Sequence, residues 1–348
     1  MTRPSQYLAV ASSFIVAAVM TAGIGVARAQ SPQADAAMQA LYEKAKAEKE
    51  VTLWTPAAIE GGWVPAEFGK RFPGIEVQFT ADLQGATKII AEARAGRHSV
   101  DVWSFAIGGM IEVQKRDLLA NEDWARYGID ERNVFFNGQA AATHNFIYAS
   151  LYAKQYVKAA DLPKTWNDFL DPKWKGKLVA QSFLLPRMMG FFALAWSPER
   201  AEQWGRALID DQKTLIVNTP SESYLKSGER VMAVGESISL AYQYQADGVD
   251  VGYLTLDLVP AGQFVTTVLK DAPHPNAALL LAAWLASDEG RALYETLIHE
   301  ADIRPGSKSP LAKEIAATGA KTILEDVNTM ELRAKYYEGY AKLVRGQN

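Results

Sequence analysis

Apolar and polar residues follow two different periods along the first third of the chain. Short β-rich runs occupy residues 51–54, 76–80 and 100–103, and their composition and alternation are typical of strands. Around and between them, apolar residues recur every three or four positions, which indicates amphipathic helices. These helical stretches are residues 33–49, 61–71 and 85–96. The order β-α-β-α-β predicts a mostly parallel sheet with helices on both faces.

The same two periods return in the rest of the chain. The predicted strands are residues 146–156, 177–180, 215–217, 231–235 and 248–258, and the predicted helices are residues 186–196, 276–286, 288–299 and 308–345. Residues 235–239 are interpreted as a turn into a further short strand. Two α/β halves without a flexible linker favour an α/β fold of two lobes joined by crossing strands, with one long sheet as the alternative.

Composition and charge exclude several classes of protein. Of the 348 residues, 49% are hydrophobic and 22% are charged, which is the balance of a soluble globular chain. The formal net charge of −4 gives no general basic field, so we expect no nucleic-acid partner. The absence of cysteine excludes disulfides and thiolate sites, and only four histidines are present. We therefore predict no metal cage and no cofactor.

The first residues have the pattern of a secretory signal peptide. Arg3 precedes a long apolar run at residues 8–27, and Ala27 and Ala29 provide the small residues of a cleavage site. We predict cleavage after Ala29, so that residues 1–29 are removed; an uncleaved membrane anchor is the alternative. Loss of Arg3 and Arg28 changes the formal charge from −4 to −4 − 2 = −6.

Common catalytic motifs are absent from the sequence. It contains no phosphate-binding loop, dinucleotide-binding glycine motif, zinc-protease helix motif or nucleophile elbow, so we predict no catalytic residue. Small and polar residues instead occur where predicted strands lead into helices. The positions are Thr55, Pro56, Ala57, Gly85, Ala86, Ser104, Ser182 and Thr219.

A ligand site is predicted where these turns converge. Open α/β sheets bind ligands beyond the carboxyl ends of their strands, where helix N-termini present free N–H groups. Each residue alone could equally be an ordinary N-cap. Arg187, near the start of a predicted helix, is the charged candidate, because guanidinium groups match carboxylates and phosphates; its alternative is a surface arginine.

Several phrases resemble the periplasmic solute-binding proteins of ABC importers, in particular their ferric-iron-binding-type branch. They are LYEKAKAEKEVTLW at 41–54, FGKRFPGIEV at 68–77, SVDVW at 99–103, LPKTWNDFLDPKWKGK at 162–177, and APHPNAA and WLASDEG within 272–290. Trp166 and Trp174 in the fourth phrase are interpreted as core residues.

The resemblance implies a type II periplasmic-binding fold with a ligand cleft at the hinge between two lobes. It also implies a periplasmic monomer that captures a small molecule, delivers it to a membrane permease and is not an enzyme. On this basis we assign residues 30–145 to lobe 1, with 262–307 returning to it. Lobe 2 comprises residues 146–261 and C-terminal helices at 308–348.

The iron ligands of that branch are only partly matched. The histidine position after the first strand corresponds to Thr55, Pro56 or Ala57, and the acidic position after the third strand is near Ser104. The paired tyrosines correspond to Tyr242 and Tyr244, which would share a face of a strand but diverge on a helix.

We therefore predict a small organic anion, a carboxylate or a phosphorylated compound, as the ligand, with Tyr242 and Tyr244 lining the site. Ferric iron bound by these two tyrosines is the alternative. An exported enzyme on the same scaffold is a third hypothesis.

Overall fold

The computed structural model describes residues 32–346, so the predicted signal peptide lies outside the described residues. The helices are α1 (Pro32–Ala45), α2 (Ala58–Gly61), α3 (Val64–Arg71), α4 (Gly85–Arg94), α5 (Ile107–Gln114), α6 (Leu184–Ala195), α7 (Pro198–Arg206), α8 (Glu222–Ser227), α9 (Ile238–Ala246), α10 (Pro275–Ala286), α11 (Asp288–Ile298), α12 (Pro310–Ala317) and α13 (Met330–Arg345). Between residues 32 and 346, no helix combines the length and apolar character that crossing a bilayer requires.

The strands form two parallel groups that share one long strand. They are β1 (Glu50–Thr55), β2 (Glu76–Ala81), β3 (Val102–Ala106), β4 (Val134–Phe135), β5 (Ala140–Ala153), β6 (Leu178–Gln181), β7 (Leu215–Val217), β8 (Met232–Ser237), β9 (Val251–Leu254), β10 (Leu258–Val268) and β11 (Lys321–Leu324). The hydrogen-bonded order is β2-β1-β3-β10-β5-β8-β6-β7, with β11 on β10 and with β4 and β9 on β5. The predicted α/β class is confirmed.

Strand β5 connects the two groups. Its residues 140–147 pair with β4 and β10, whereas residues 148–153 pair with β8 and β9. We call the side with β1, β2 and β3 the first half and the side with β6, β7 and β8 the second half. Hydrogen bonding is thus continuous between two separate parallel groups, and the exact lobe boundaries stay a prediction.

The pairing directions make the two groups of strands end opposite each other. Strands β3 and β5 are both antiparallel to β10, so they run the same way, while β8 runs antiparallel to β5. Ala106, at the end of β3, pairs with Phe264 of β10, and Ser237, at the end of β8, pairs with Tyr148 of β5. The carboxyl ends of both parallel groups therefore point toward the middle of β5.

Each half has its own apolar core. In the first half, Trp284 of α10 packs against Phe68 and Phe72, with ring centroids 5.5 and 6.5 Å apart. In the second half, Trp166 packs against Phe192 of α6 at 5.1 Å, and its indole N–H donates to a backbone carbonyl. Trp166 and Trp174 are both buried, which confirms their interpretation as core residues.

Several predicted boundaries were wrong, and the reasons are physical. Strand β5 begins at Ala140, six residues before the predicted start at residue 146, because its alanine-rich beginning has low strand propensity. Strand β10 extends to Val268 and is buried throughout, so it shows no polar alternation. Strand β11 interrupts the region 308–345 that was predicted to be mostly helical.

The segment after β8 is also different from its prediction. Residues 238–246 form helix α9 and not a strand. The hydroxyl of Ser237 accepts a hydrogen bond from the backbone N–H of Leu240, which is an N-cap interaction. This polar residue between two apolar runs was the local signal for a helix start.

Candidate functional site

The facing ends of the two parallel groups bring most of the predicted turns together. We call this region the junction: it comprises the turns that follow β1, β2, β3, β6, β7 and β8, together with residues 144–148 of β5. The predicted residues at these turns are Thr55, Pro56, Ala57, Gly85, Ala86, Ser182 and Thr219. The junction therefore has helix N-termini on both sides.

On the first-half side, the turn after β1 is held by its own side chain. The buried Thr55 hydroxyl donates to the carbonyl of Ala57 at 2.9 Å, while Ala57 itself is exposed and Pro56 is half-buried. This contact fixes the entry into α2. The Thr55 hydroxyl therefore stabilises the turn, and Ala57 is the residue of this turn that is exposed to solvent.

The turn after β2 packs closely on an indole. Gly85 is the first residue of α4, and a Cβ atom there would lie 3.0 Å from Nε1 of Trp103. Ala86 is half-buried and packs against the apolar cluster that contains Trp103. Leu83 precedes them with 61% of its surface exposed, so this turn contributes an apolar side chain to the junction.

Ser104 was predicted to lie in a turn, but this prediction was wrong. Strand β3 continues to Ala106 and α5 begins at the next residue, so Ser104 is inside the strand, paired with Thr266 of β10. Its hydroxyl is buried and has no hydrogen-bond partner among the described residues. The helix N-terminus that was expected at Ser104 is instead formed by the first turn of α5, which begins at Ile107.

On the second-half side, a buried carboxylate joins the turns. Glu236, at the end of β8, accepts hydrogen bonds from the side chains of Gln181, at 2.7 Å, and Ser221, at 2.6 Å. Burial raises the pKa of Glu236, and these two bonds oppose that rise. The Ser182 hydroxyl donates to Asn218, which adds a link between the turns after β6 and β7. Thr219 is exposed.

Arg187 lies in the first turn of α6, directly after β6. Its guanidinium group lies 5.9 Å from the ring centre of Phe183 and 5.6 Å from that of Tyr337. Among residues 32–346 it has no hydrogen-bond or ion-pair partner. Its positive charge acts on the buried carboxyl group of Glu325, although the two groups form no direct ion pair.

The two candidate tyrosines do not converge. Both lie on helix α9, where two-residue spacing directs side chains to different faces. Tyr242 stacks on His299 with ring centres 3.5 Å apart, whereas the Tyr244 hydroxyl is buried 3.5 Å from that of Ser221. Burial, followed by the charge of Glu236, raises the pKa of Tyr244 far above its ordinary value. The helical alternative therefore holds for this segment.

A second buried polar cluster lies on the other side of the junction. Nε2 of His144 is 3.0 Å from Glu60 and 4.0 Å from Glu300, and its ring is stacked between Phe264 and Tyr294. Burial raises the pKa of Glu300 well above its usual range, and the charge of Glu60 adds to this effect.

The cluster connects the two halves of the sheet. Oε1 of Glu300 accepts a hydrogen bond from Ser239, in the first turn of α9, at 2.6 Å. Within the described part of the chain, no group of three or more histidine and acidic residues is arranged to hold a metal ion. The contacts therefore indicate a hydrogen-bonded connection between the halves.

Sequence reasoning missed the buried acidic residues of the junction. Glu236 and Glu300 follow ordinary-looking runs, and Glu325 follows a strand that the sequence did not reveal. The signal that could have found them is a lone acidic residue within two positions of the end of an apolar run, because a buried carboxylate there needs a hydrogen-bond donor.

Comparison with known proteins agrees with this architecture. The family model described as "Bacterial extracellular solute-binding protein" matches residues 54–292. No curated protein sequence matches the chain.

Solved structures with the same fold are numerous. Iron-bound HitA from Pseudomonas aeruginosa is 19% identical, with a TM-score of 0.67 over 83% of this chain and 98% of that chain. An ABC transporter substrate-binding protein from Bradyrhizobium japonicum is 16% identical, with a TM-score of 0.68 over 84% and 99%. Apo ferric ion-binding protein A from Pasteurella haemolytica is 17% identical, with a TM-score of 0.66 over 86% and 98%.

These likenesses confirm the type II periplasmic-binding fold with two lobes. The matched family consists of extracellular proteins that bind small molecules and work with ABC transporter permeases, and it is not a family of enzymes. Because its model matches well over half of the chain, this protein belongs to the bacterial extracellular solute-binding protein family.

Proposed function

We propose that this protein captures a small organic anion at the junction and delivers it to the permease of an ABC importer. The observation that supports this most directly is the unpaired guanidinium group of Arg187 at the start of α6. It lies in the first turn of α6, and a guanidinium group and a helix N-terminus both stabilise a carboxylate or phosphate.

An organic body of the ligand is supported by exposed apolar side chains in two of the junction's turns. Leu83, on the first-half side, and Phe183, on the second-half side, are 61% and 42% exposed. Leu83 lies in the turn after β2 and Phe183 in the turn after β6, so closure of the lobes on an organic solute would cover both. Burying such surface contributes about 25 cal/mol per Å².

Native mass spectrometry tests the proposal. Protein purified gently from its own periplasm should retain a small organic molecule, and Arg187→Ala should lose it, because each charge-assisted hydrogen bond contributes about 1.5–3 kcal/mol. Arg200→Ala is the matched control, since Arg200 also stacks on a ring, that of Trp196 at 4.6 Å, but lies on α7. Equal retention by both variants would contradict the proposal.

Ferric iron is the competing ligand, because two of the three solved structures named above are described as iron-bound or ferric ion-binding. Phenolate ligands must lose their protons, and burial makes this unfavourable at Tyr244. Under the iron hypothesis, addition of ferric citrate should give a coloured complex that Tyr242→Phe abolishes and Arg187→Ala retains. Under our proposal no such complex forms.

We further propose export with cleavage after Ala29, which places the mature protein in the periplasm as a monomer. The intact mass of the exported protein should correspond to a chain that begins at Gln30. A membrane-bound product that retains residues 1–29 would contradict this, and light scattering checks the monomer.

A further inference from the structure

A second arginine at the junction is already neutralised by an internal carboxylate. Arg333 of α13 donates to Oε1 of Glu325, with its Nε at 2.7 Å and its Nη2 at 2.5 Å. The side chain of Glu325 is fully buried, and that of Arg333 is 12% exposed. This ion pair is therefore a fixed part of the site's charge.

Glu325 lies where the two halves meet. It follows β11, and its backbone N–H donates to the carbonyl of Ala261 on β10. A Cβ atom at Gly108, in the first turn of α5, would lie only 2.9 Å from its Oε1 atom. Its other oxygen, Oε2, is buried beside Gly262, and a hydrogen bond from the backbone N–H of Gln263 opposes the rise in the pKa of the carboxyl group. The carboxylate thus faces the junction from the first-half side.

Two charged side chains, Arg333 and Arg187, act on this carboxylate, and the three groups together carry one positive charge. Arg187 and Arg333 each contribute one positive charge, and Glu325 contributes one negative charge. Burial raises the pKa of Tyr148 between them, opposed by both arginines, so this phenol stays neutral. Burial also raises the pKa of Glu325, and Arg333 opposes that rise.

A buried site of this charge distinguishes ligands by their own charge. One negative charge on the ligand neutralises the single positive charge of Arg187, Arg333 and Glu325. A second negative charge on the ligand would remain unpaired beside Glu325, which is unfavourable in a buried region. The negative charge of Glu325 repels a second anionic group on the ligand. Repulsion of this kind gives specificity against the wrong ligand.

We propose, resting on the proposed function, that Glu325 restricts this protein to singly charged organic anions, namely monocarboxylates, and excludes dicarboxylates and phosphate monoesters. Arg187 binds the carboxylate directly. Glu325 is a specificity-determining residue that acts by charge, and Arg333 holds it in position.

Calorimetric titrations at pH 7.5 with two matched sets of probes test this proposal. The sets are lactate, malate and glycerol 3-phosphate, and benzoate, phthalate and phenyl phosphate. The wild-type chain should bind the monocarboxylate of at least one set about tenfold or more tightly than its doubly charged partners. Glu325→Gln adds one positive charge to the site and should shift this ratio about tenfold toward the doubly charged probes.

The double variant Glu325→Gln/Arg333→Gln is the matched control, because it restores a net charge of +1. It should recover the preference for the monocarboxylate, which a merely structural disturbance would not do. An unchanged ratio in Glu325→Gln, or a wild-type preference for the doubly charged probes, would overturn the inference while leaving the proposed function intact. Failure of all six probes to bind, or full binding by Arg187→Ala, would contradict the proposed function itself.

Discussion

Single carboxylates organise the candidate site at the residue scale. Glu236 accepts from Gln181 and Ser221 and so connects the turns after β6 and β7 to the end of β8. Glu300 accepts from Ser239 and thereby connects the first turn of α9 to the His144 cluster. Both are buried, so their hydrogen bonds are worth more than those of surface residues.

Removal of the Glu236 carboxylate should destabilise the second half. Glu236→Ala leaves two buried donors unpaired, which should lower the free energy of unfolding by about 2–4 kcal/mol. Glu236→Gln keeps one hydrogen-bond acceptor, so it should lower the free energy of unfolding by less than Glu236→Ala does. Urea unfolding followed by circular dichroism measures both, and Glu229→Ala, at an exposed site, serves as the control. Equal stability of Glu236→Ala and Glu229→Ala would refute this role.

The raised pKa of Glu300 predicts a pH dependence of stability. A carboxyl group that binds its proton more tightly when folded stabilises the folded state at low pH, and this contribution is lost as pH rises above the ordinary value of 4.5. The groups that face it are Glu60, His144 and Ser239.

Glu300→Gln should therefore flatten the decline in unfolding free energy as the pH rises above 4.5. Urea titrations at a series of pH values measure this slope. The exposed Glu229→Gln should leave the slope unchanged, and a Glu300→Gln profile parallel to the wild-type profile would show that Glu300 does not contribute.

At the element scale, helix α5 contacts α13 of the C-terminal segment. Lys115 of α5 pairs with Glu331 of α13 at 2.6 Å, and Gly108 of α5 lies against Glu325 and Arg333. Helix α13 also packs along α6 of the second half, so it contacts elements of both halves. The close approach of α5 and α13 requires a residue without a side chain at position 108.

Two glycine substitutions should therefore have opposite effects. Gly108→Ala places a methyl group against the fixed ion pair and should lower the unfolding free energy by about 1–2 kcal/mol. Gly339→Ala, in the exposed interior of α13 with nothing within 4 Å of its Cβ position, should raise it by about 0.5–1 kcal/mol. Thermal unfolding of both variants measures the difference, and a neutral Gly108→Ala would contradict the close contact.

The elements that sequence could predict are those with a clear period. The strands at 51–54, 76–80 and 215–217 and the helices at 276–286 and 288–299 match the structure within a few residues. Strand β10 was missed because burial on both faces removes the alternation, and β11 was hidden in an apparently helical region. The positions of Arg187 and of most of the turns could be predicted from the sequence, because they depend only on which strand and helix are neighbours along the chain.

The acidic partners of the site were not accessible to sequence reasoning. Glu325 reaches the junction only because β11 pairs with β10, more than 50 residues earlier in the chain. Likewise, Glu60 and His144 are 84 residues apart and meet through sheet topology. Contacts of this kind depend on long-range strand order, which local patterns do not encode.

At the scale of the whole molecule, only β5, β10 and a few helix contacts connect the two parallel groups within residues 32–346. Such an arrangement allows hinge closure around a bound solute. Small-angle scattering should show a smaller radius of gyration for the solute-loaded protein than for the protein after the solute has been removed. Identical radii at saturation would indicate a rigid site.

The central claim is that an organic anion binds at the junction through Arg187. A crystal structure of the protein purified from its own periplasm with its solute still bound tests this most directly. We predict density for a carboxylate between the two halves, within hydrogen-bonding distance of the Arg187 guanidinium group. A metal ion bound to Tyr242, or a solute located elsewhere with Arg187 free, would contradict the account.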